Sequence, residues 1–291
     1  MRLHKRKEGA ILIRIGTLWE MTGCARVITL IGAGGKTTSL QRLGREIQAA
    51  GYEAMLTTTT KVWPLADIAA WKNPTEPPPN KPYDLGKHAH LLSDDDYASS
   101  SNSSNVADLS NPAIWFWYAR EEQESGKWVG PKLESVDKAV DNTGLPGSRL
   151  WVIEGDGAKE RGLKCWAEHE PQIPSTTECA ILVIDGTLWG RKLSGTEIHR
   201  PECCQALNGR VWDKGVLWEY LFGSPAFSAN YTKMQWVVFF NDKGVGEMTD
   251  IEELLPNDDV RDLYSLREKP LHLRLAAGNG RAGEIRSVDV W

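Results

Sequence analysis

The chain has 291 residues, 41% of them apolar and 25% charged, a balance that fits a globular protein with one large core or two smaller ones and excludes a wholly disordered polymer. Its formal charge of -5 argues against nucleic acid or an acidic membrane as a general partner, because both demand a dense cationic surface. The cysteines, at positions 24, 165, 179, 203 and 204, are odd in number and form no CxxC pair, so they offer no disulfide framework and fit a reducing cytoplasm.

Residues 1–26 read as an N-terminal extension. Its basic run, Arg2 to Lys7, is a solvated tail, and Arg14 interrupts the apolar "AILIRIG" that would otherwise resemble a secretory signal. No stretch approaches the roughly 18 to 20 apolar residues of a membrane helix. Val27 to Ile31 is β-branched and apolar, as a strand buried on both faces should be. Leu40, Leu43, Ile47 and Ala50 then recur at helical spacing, with Gly51 placed to end the helix. Ala54 to Thr58 follows as a second strand, so residues 27–60 read as a βαβ unit whose glycine loop lies at the C-terminal edge of a sheet.

Between about 64 and 112, "NPTEPPPNKP" and "SSSNSSN" offer little to bury and read as an insertion or loop. Beyond it, "AIWFWYAR" and "KWVG" predict short strands and Pro131 to Val140 a helix. "RLWVIEGDGAK", "CAILVID" and "MQWVVFFND" predict buried strands, with helical candidates near 202–208 and 213–222. A helix over Asp258 to Glu268 and a strand over Leu271 to Leu275 complete the chain, and there are no internal repeats. The expected fold is α/β, a mostly parallel sheet with helices on both faces, formed by residues 27–291.

The first candidate site is "LIGAGGKTT". A phosphate needs backbone N–H groups at a helix N-terminus plus a cation, and the number of intervening residues sets the shape of the loop rather than its chemistry. Gly32, Gly34 and Gly35, with Ala33 between them, permit close approach of oxyanions to the main chain. Lys36 would neutralise the outer phosphates and the Thr37 or Thr38 hydroxyl could hold Mg²⁺. A plain glycine turn with a solvated lysine is the bland alternative. Lysine is ill suited to that role, because the positive end of the helix dipole repels a cation unless an anion intervenes. The spacing resembles the "GTNGKTT" kind of loop of Mur ligases and folylpolyglutamate synthetases, which implies a P-loop NTPase-like fold with a short Mur-ligase-type phosphate loop and ATP, or GTP, as nucleotide.

The second is "VIEGDGAKERGLKCWAEHEPQIP". Alternation along its strand sends Glu154 and Asp156 to one side at the C-terminal edge, where carboxylates can hold Mg²⁺ or its water shell. "TTTTK" forms the third. Threonine is a good strand former, so Thr57 to Thr59 need no function, whereas Lys61 could meet a γ-phosphate or an anionic substrate. In "IHRPECC", His199 and Arg200 could bind an anion. Cys203 and Cys204 read as structural, although they could in principle bind a soft metal or selenium species.

In order, "LIGAGGKTT", "TTTTK", "EGDGAKERGLKCWAEHEPQIP" and "HRPE" resemble the motif series of the YqeC-type selenium cofactor biosynthesis family, accessory proteins of selenium-dependent molybdenum hydroxylases. The resemblance spans residues 27–202. It implies a cytoplasmic, nucleotide-dependent protein acting on, or delivering, an anionic cofactor or selenium species, with a molybdenum hydroxylase as partner. It marks the loop from Gly32 to Thr38, then Thr59, Lys61, Glu154, Asp156, Gly157, Lys159 and Lys164. Glu168, His169, Glu170, Pro171, His199 and Arg200 complete the set. The basic extension, the Pro/Ser-rich insertion and the Cys203-Cys204 pair depart from the pattern, as does "FFNDKG", which stands where an "LNKxD"-like segment is expected. Lys36, Lys61 and Asp156 are the expected catalytic groups, Thr37, Glu154 and Asp156 the expected metal ligands. Thr59, Lys61, Lys159, Lys164, Glu168, His169, Glu170, His199 and Arg200 are the expected contacts to the second substrate. Two further readings stand beside this one: a nucleotide-gated carrier without turnover, and a Mur-like ligase resting on loop spacing alone.

Overall fold

The structure, a computed structural model, describes residues 2–4, 12–79, 114–142, 149–244, 250–256, 269–282 and 284–291. The helix expected over Asp258 to Glu268, and the Ser-rich part of the stretch from 64 to 112, lie outside the described residues. In chain order the elements begin with β1 (Arg2–His4), β2 (Ile13–Gly16), α1 (Leu18–Met21), β3 (Val27–Gly32), α2 (Lys36–Ala49) and β4 (Glu53–Thr58). There follow β5 (Lys61–Val62), β6 (Ala69–Lys72), β7 (Ile114–Tyr118), β8 (Arg120–Glu121), β9 (Trp128–Val129), α3 (Leu133–Asp141), β10 (Arg149–Glu154) and β11 (Leu163–Lys164). The last are β12 (Cys179–Asp185), β13 (Ile198–His199), α4 (Lys214–Phe222), β14 (Gln235–Asn241), α5 (Ile251–Leu254), β15 (His272–Gly278) and β16 (Ile285–Asp289).

Eleven strands share one sheet in the order β1-β2-β16-β15-β14-β12-β3-β10-β4-β7-β6. From β15 to β6 every neighbouring pair is parallel, and the three pairs at the other edge are antiparallel. Asp289 fastens that antiparallel edge: it pairs with Arg14 from β2, Arg274 from β15 at 2.6 Å and His272 at 3.1 Å, and these partners hold its carboxyl well below the usual carboxylate range although burial opposes them.

Strand alternation decides which helix covers which face. On β10, Leu150 and Val152 pack with Leu40, Leu43 and Ile47 of α2, whereas Trp151 and Ile153 pack with Val136 of α3. On β12, Ile181 and Val183 belong to the α2 side, and Ala180, Leu182 and Ile184 pack with Leu217 and Leu221 of α4. The sheet is thus covered on both faces and its central strands are apolar throughout, as the runs "VITLI" and "AILVI" require.

Three expectations change. Glu53–Thr58 does not lie beside Val27–Gly32, because β10 inserts between them and pairs with both. The front of the presumed insertion contributes β6, an edge strand; its residues are largely exposed, so a segment with little to bury can still complete a sheet. Part of the presumed N-terminal extension also enters the sheet, through the pairing of β2 with β16.

Trp151 is 1% exposed and meets the ring of Trp117 edge-on at 6.2 Å beneath α3. Trp151→Ala is expected to lower the unfolding free energy by about 3–5 kcal/mol, read from the urea midpoint.

Candidate functional site

All parallel strands end at the same edge, and their last residues build the site. β3 runs into the glycine loop, β10 ends on Glu154 with Asp156 two residues on, β12 ends on Asp185 and β14 on Asn241. All three glycines of the loop are obligatory for space as well as backbone: Gly32, at φ 93°, would put a Cβ 2.4 Å from the Val183 carbonyl. Gly34, at φ 85°, would push a Cβ to 2.5 Å from the Asp185 nitrogen, and Gly35, at φ 127°, would put one 2.2 Å from the Asn241 amide.

The loop's amides divide into two sets. Gly32 donates to Asp156 Oδ2 at 3.0 Å, Ala33 to the Val183 carbonyl at 2.8 Å and Gly34 to the Arg161 carbonyl at 3.1 Å. These three shape the loop. The amides of Gly35, Lys36, Thr37 and Thr38 have no protein acceptor among the described residues, as the first turn of a helix dictates. They open, at the positive end of α2, into a cleft of about 870 Å³.

Asp156 organises what lies below. It has no exposure, and its Oδ2 also accepts from Trp166 Nε1 at 2.8 Å and lies 3.5 Å from Lys164 Nζ. Its Oδ1 has the Lys36 ammonium at 3.2 Å but no hydrogen-bond partner in good geometry. Lys36 also donates to the Gly32 carbonyl at 2.6 Å and stands 3.9 Å from Glu154 Oε1. Thr37 donates to Glu154 Oε2 at 2.9 Å. Burial pushes the Glu154 carboxyl up, against the pull of Lys36 and the Thr37 hydrogen bond.

Residues 28–202 match the family model described as YqeC protein. The chain belongs to the YqeC family. It is similar to the uncharacterized protein YqeC of Escherichia coli strain K12, with 31% identity over 197 residues that cover 66% of this chain and 62% of that protein. The chain thus spans less than two thirds of that relative's length. No solved structure matches. The matched region of this YqeC-family chain holds the loop, both carboxylates and all of the facing wall but Lys243, and it does not reach Asn241.

That wall is cationic. Lys61, Lys127, Lys159, Arg161, Arg200 and Lys243 line the cleft together with His199, against Glu154, Glu160 and Glu170. Backbone strain concentrates here: Lys159, Glu160, Arg200 and Lys243 all hold left-handed φ angles, of 45°, 60°, 61° and 55°. His199 is held below its ordinary value of 6.5 by partial burial and by the charges of Lys164 and Arg200. Lys61 pairs with Glu122 at the rim, and Lys243 pairs with Asp185 at 2.5 Å.

The remaining expected contacts are placed elsewhere. Lys164 has no exposure; it sits between Asp156 and Glu170, 3.0 Å from the latter, and can reach the cleft only through them. Thr59 spends its hydroxyl on the carbonyl of Gln172 at 3.1 Å. Glu168 and His169 are exposed on a second cavity, of about 690 Å³, and Glu170 borders both spaces. Glu170 also takes Arg200 Nε at 2.7 Å; although burial opposes it, Lys164 and Arg200 hold its carboxyl below the usual range.

Cys165 and Cys204 are joined by a disulfide across 39 residues, which corrects the reading of the cysteines as lacking any framework and of Cys204 as half of a vicinal pair. Sequence spacing could not reveal it, because the partners meet only when β11 pairs with β13. Trp166, Asp185, Asn241 and Lys243 were also missed. The signal for Asp185 and Asn241 was available: each is the polar residue that ends an apolar parallel strand, the same rule that singled out Glu154.

An oxygen-donor set of Thr37, Glu154 and Asp156 suits Mg²⁺, and the unbonded Asp156 Oδ1 is the buried atom that such an ion would satisfy. Among the described residues no group of three or more His, Cys, Asp or Glu is gathered as a metal site, so any ion here depends on ligand and water oxygens for the rest of its shell. Asp156→Asn leaves two buried ammonium groups facing one neutral amide; it is expected to cost about 3–5 kcal/mol, measured by guanidinium unfolding at neutral pH.

Proposed function

We propose that the cleft binds a nucleoside triphosphate, ATP or GTP, with its phosphates on the amides of Gly35, Lys36, Thr37 and Thr38. The observation that carries this reading is that set of four amides without protein acceptors, at the head of a fourteen-residue helix beside a buried lysine. The tight glycine loop between a buried parallel strand and that helix is the P-loop-like element of the reading. Lys36 would leave the Asp156 and Glu154 carboxylates and turn to the outer phosphates, while Mg²⁺ held by Thr37, Glu154 and Asp156 would neutralise phosphate charge. Asn241 spends its side chain on the Gly34 carbonyl, at 2.9 Å, and on the Gly280 amide, at 3.0 Å, so it supports the loop and has little left to read a base.

The second substrate is an anion, received by Lys61, Lys159, Arg161, His199 and Arg200. Membership of the YqeC family supports, loosely, an accessory role in selenium cofactor biosynthesis. In this reading the anion is a cofactor or selenium species handled in the cytoplasm during maturation of a selenium-dependent molybdenum hydroxylase. Turnover would consist of phosphoryl transfer or cleavage, with Lys36 and Lys61 stabilising the developing charge. The carrier reading also has an observation in its favour: Lys36 is engaged by three protein groups, so nucleotide entry must rearrange the Asp156 cluster and could gate docking without chemistry.

Equilibrium dialysis with ATP, GTP and millimolar Mg²⁺ is expected to show retention by the native chain and a loss of tenfold or more, about 1.4 kcal/mol, in Lys36→Ala and in Thr37→Ala. No retention of any nucleotide by a folded native chain would sink the proposal, and retention without phosphate release under any candidate anion would select the carrier. A pH series gives a further outcome. Because His199 charges only below its ordinary value, tripolyphosphate affinity is expected to rise as the pH falls below 6.5, and that rise should disappear in His199→Gln.

A further inference from the structure

The second cavity is lined by both partners of the disulfide and by the free thiol of Cys203. Cys165 is 3% exposed, Cys204 is half-buried and Cys203 is exposed, so of the two bonded sulfurs that of Cys204 is the accessible one. Of the carboxylates on this cavity, Glu170 is paired with Lys164 and Arg200, and Glu219 with Arg210, so its walls carry little uncompensated charge. A small uncharged molecule suits such walls.

The bond joins two of the segments that contribute to the cationic wall of the cleft. Lys164 and Trp166 flank Cys165; Arg200 leads into the 3-10 turn Pro201–Leu207 that carries Cys204. Among the described residues the other ties between these segments are a ladder of two residues with its backbone hydrogen bonds, the Arg161 side chain on the Thr196 carbonyl, the Arg200–Glu170 pair, and the packing of Leu163 with Ile198 and Leu207. The turn is weak on its own: Arg200 is left-handed and Cys204, at φ -149° and ψ 50°, breaks its helical path. Glu170 belongs to both cavities, so a change at the bond reaches the cleft.

We propose that Cys165–Cys204 is a thiol-exchange site for a small uncharged thiol, and that its cleavage loosens the Glu170–Arg200 side of the neighbouring cleft. The incoming thiolate attacks Cys204 Sγ and forms a mixed disulfide; the bond to Cys165 breaks, and Cys165 leaves as a thiolate that takes up a proton. A second thiol attacks the ligand sulfur of the mixed disulfide, releasing the ligand's own disulfide and leaving Cys204 as a thiol. Two thiols are oxidised and one protein disulfide is reduced. The consequence for anion binding rests on the proposed function above, whereas the exchange step does not.

The full chain, purified without reductant, is treated with 2-mercaptoethanol, trapped with iodoacetamide under denaturing conditions and mapped by mass spectrometry. The expected result is a mercaptoethanol adduct on Cys204 with Cys165 alkylated. Amide hydrogen exchange should speed up at 163–172 and 198–207 after cleavage, and tripolyphosphate should bind roughly five- to tenfold more weakly. Cys204→Ser should reproduce the cleaved state, and Cys203→Ser should leave both bond and response intact. The inference is overturned by the absence of the bond in the oxidised chain, by an adduct confined to Cys203, or by unchanged amide protection after cleavage. If protection changes as expected but tripolyphosphate binds neither form, the cleft reading fails and the exchange site stands.

Discussion

A carboxylate with no access to water, set between two ammonium groups, is costly unless every partner is held in place. Asp156 meets that condition through one backbone amide, one indole N–H and the charges of Lys36 and Lys164. These four contacts tie three elements to it: the end of β3, the start of α2 and the segment from Lys164 to Trp166 that begins in β11. The glycine loop has its shape because Gly32 must present its amide to this carboxylate, and Lys36 lies buried because the same carboxylate draws it inward. The rest of the site hangs from this one interaction, including the carboxylate pair that would hold a divalent ion.

The charge chain continues outward. Lys164 passes from Asp156 to Glu170, and Glu170 passes to Arg200, so acid and base alternate from the buried centre to the rim of the cleft. Such an arrangement couples what happens at either end. A phosphate drawing Lys36 away would leave Asp156 to Lys164 and to any arriving cation, and a displaced Arg200 would leave Glu170 to Lys164. The disulfide braces the outer end of that chain, where the backbone is left-handed and has few hydrogen bonds of its own.

Much of the fold could be read in advance because its strands are buried on both faces. A run such as "CAILVID" admits few other fates, and its boundaries in the structure are Cys179 and Asp185. The loop from Gly32 to Thr38 was legible for a related reason: three glycines before a lysine and an apolar helical stripe have a physical meaning that needs no partner. Lys164 was not legible. Nothing in its local sequence separates a lysine that touches a ligand from one buried beneath the site, because the distinction depends on Asp156 and Glu170 arriving from either side. His169 and Glu168 share that difficulty, since a turn of the chain delivers them to the neighbouring cavity.

The order of residues alone determined the class of the fold, the position of the glycine loop between a buried strand and a helix, and the acidic end of β10, because each follows from local periodicity and backbone stereochemistry. Only the tertiary structure decided that β10 lies between β3 and β4, that Asn241 bonds the loop while Asp185 packs against it from the neighbouring strands, and that Cys165 meets Cys204. Those relations join residues far apart in the chain. They are fixed by which apolar faces pack together and which buried charges must be compensated, and no window of sequence contains both partners.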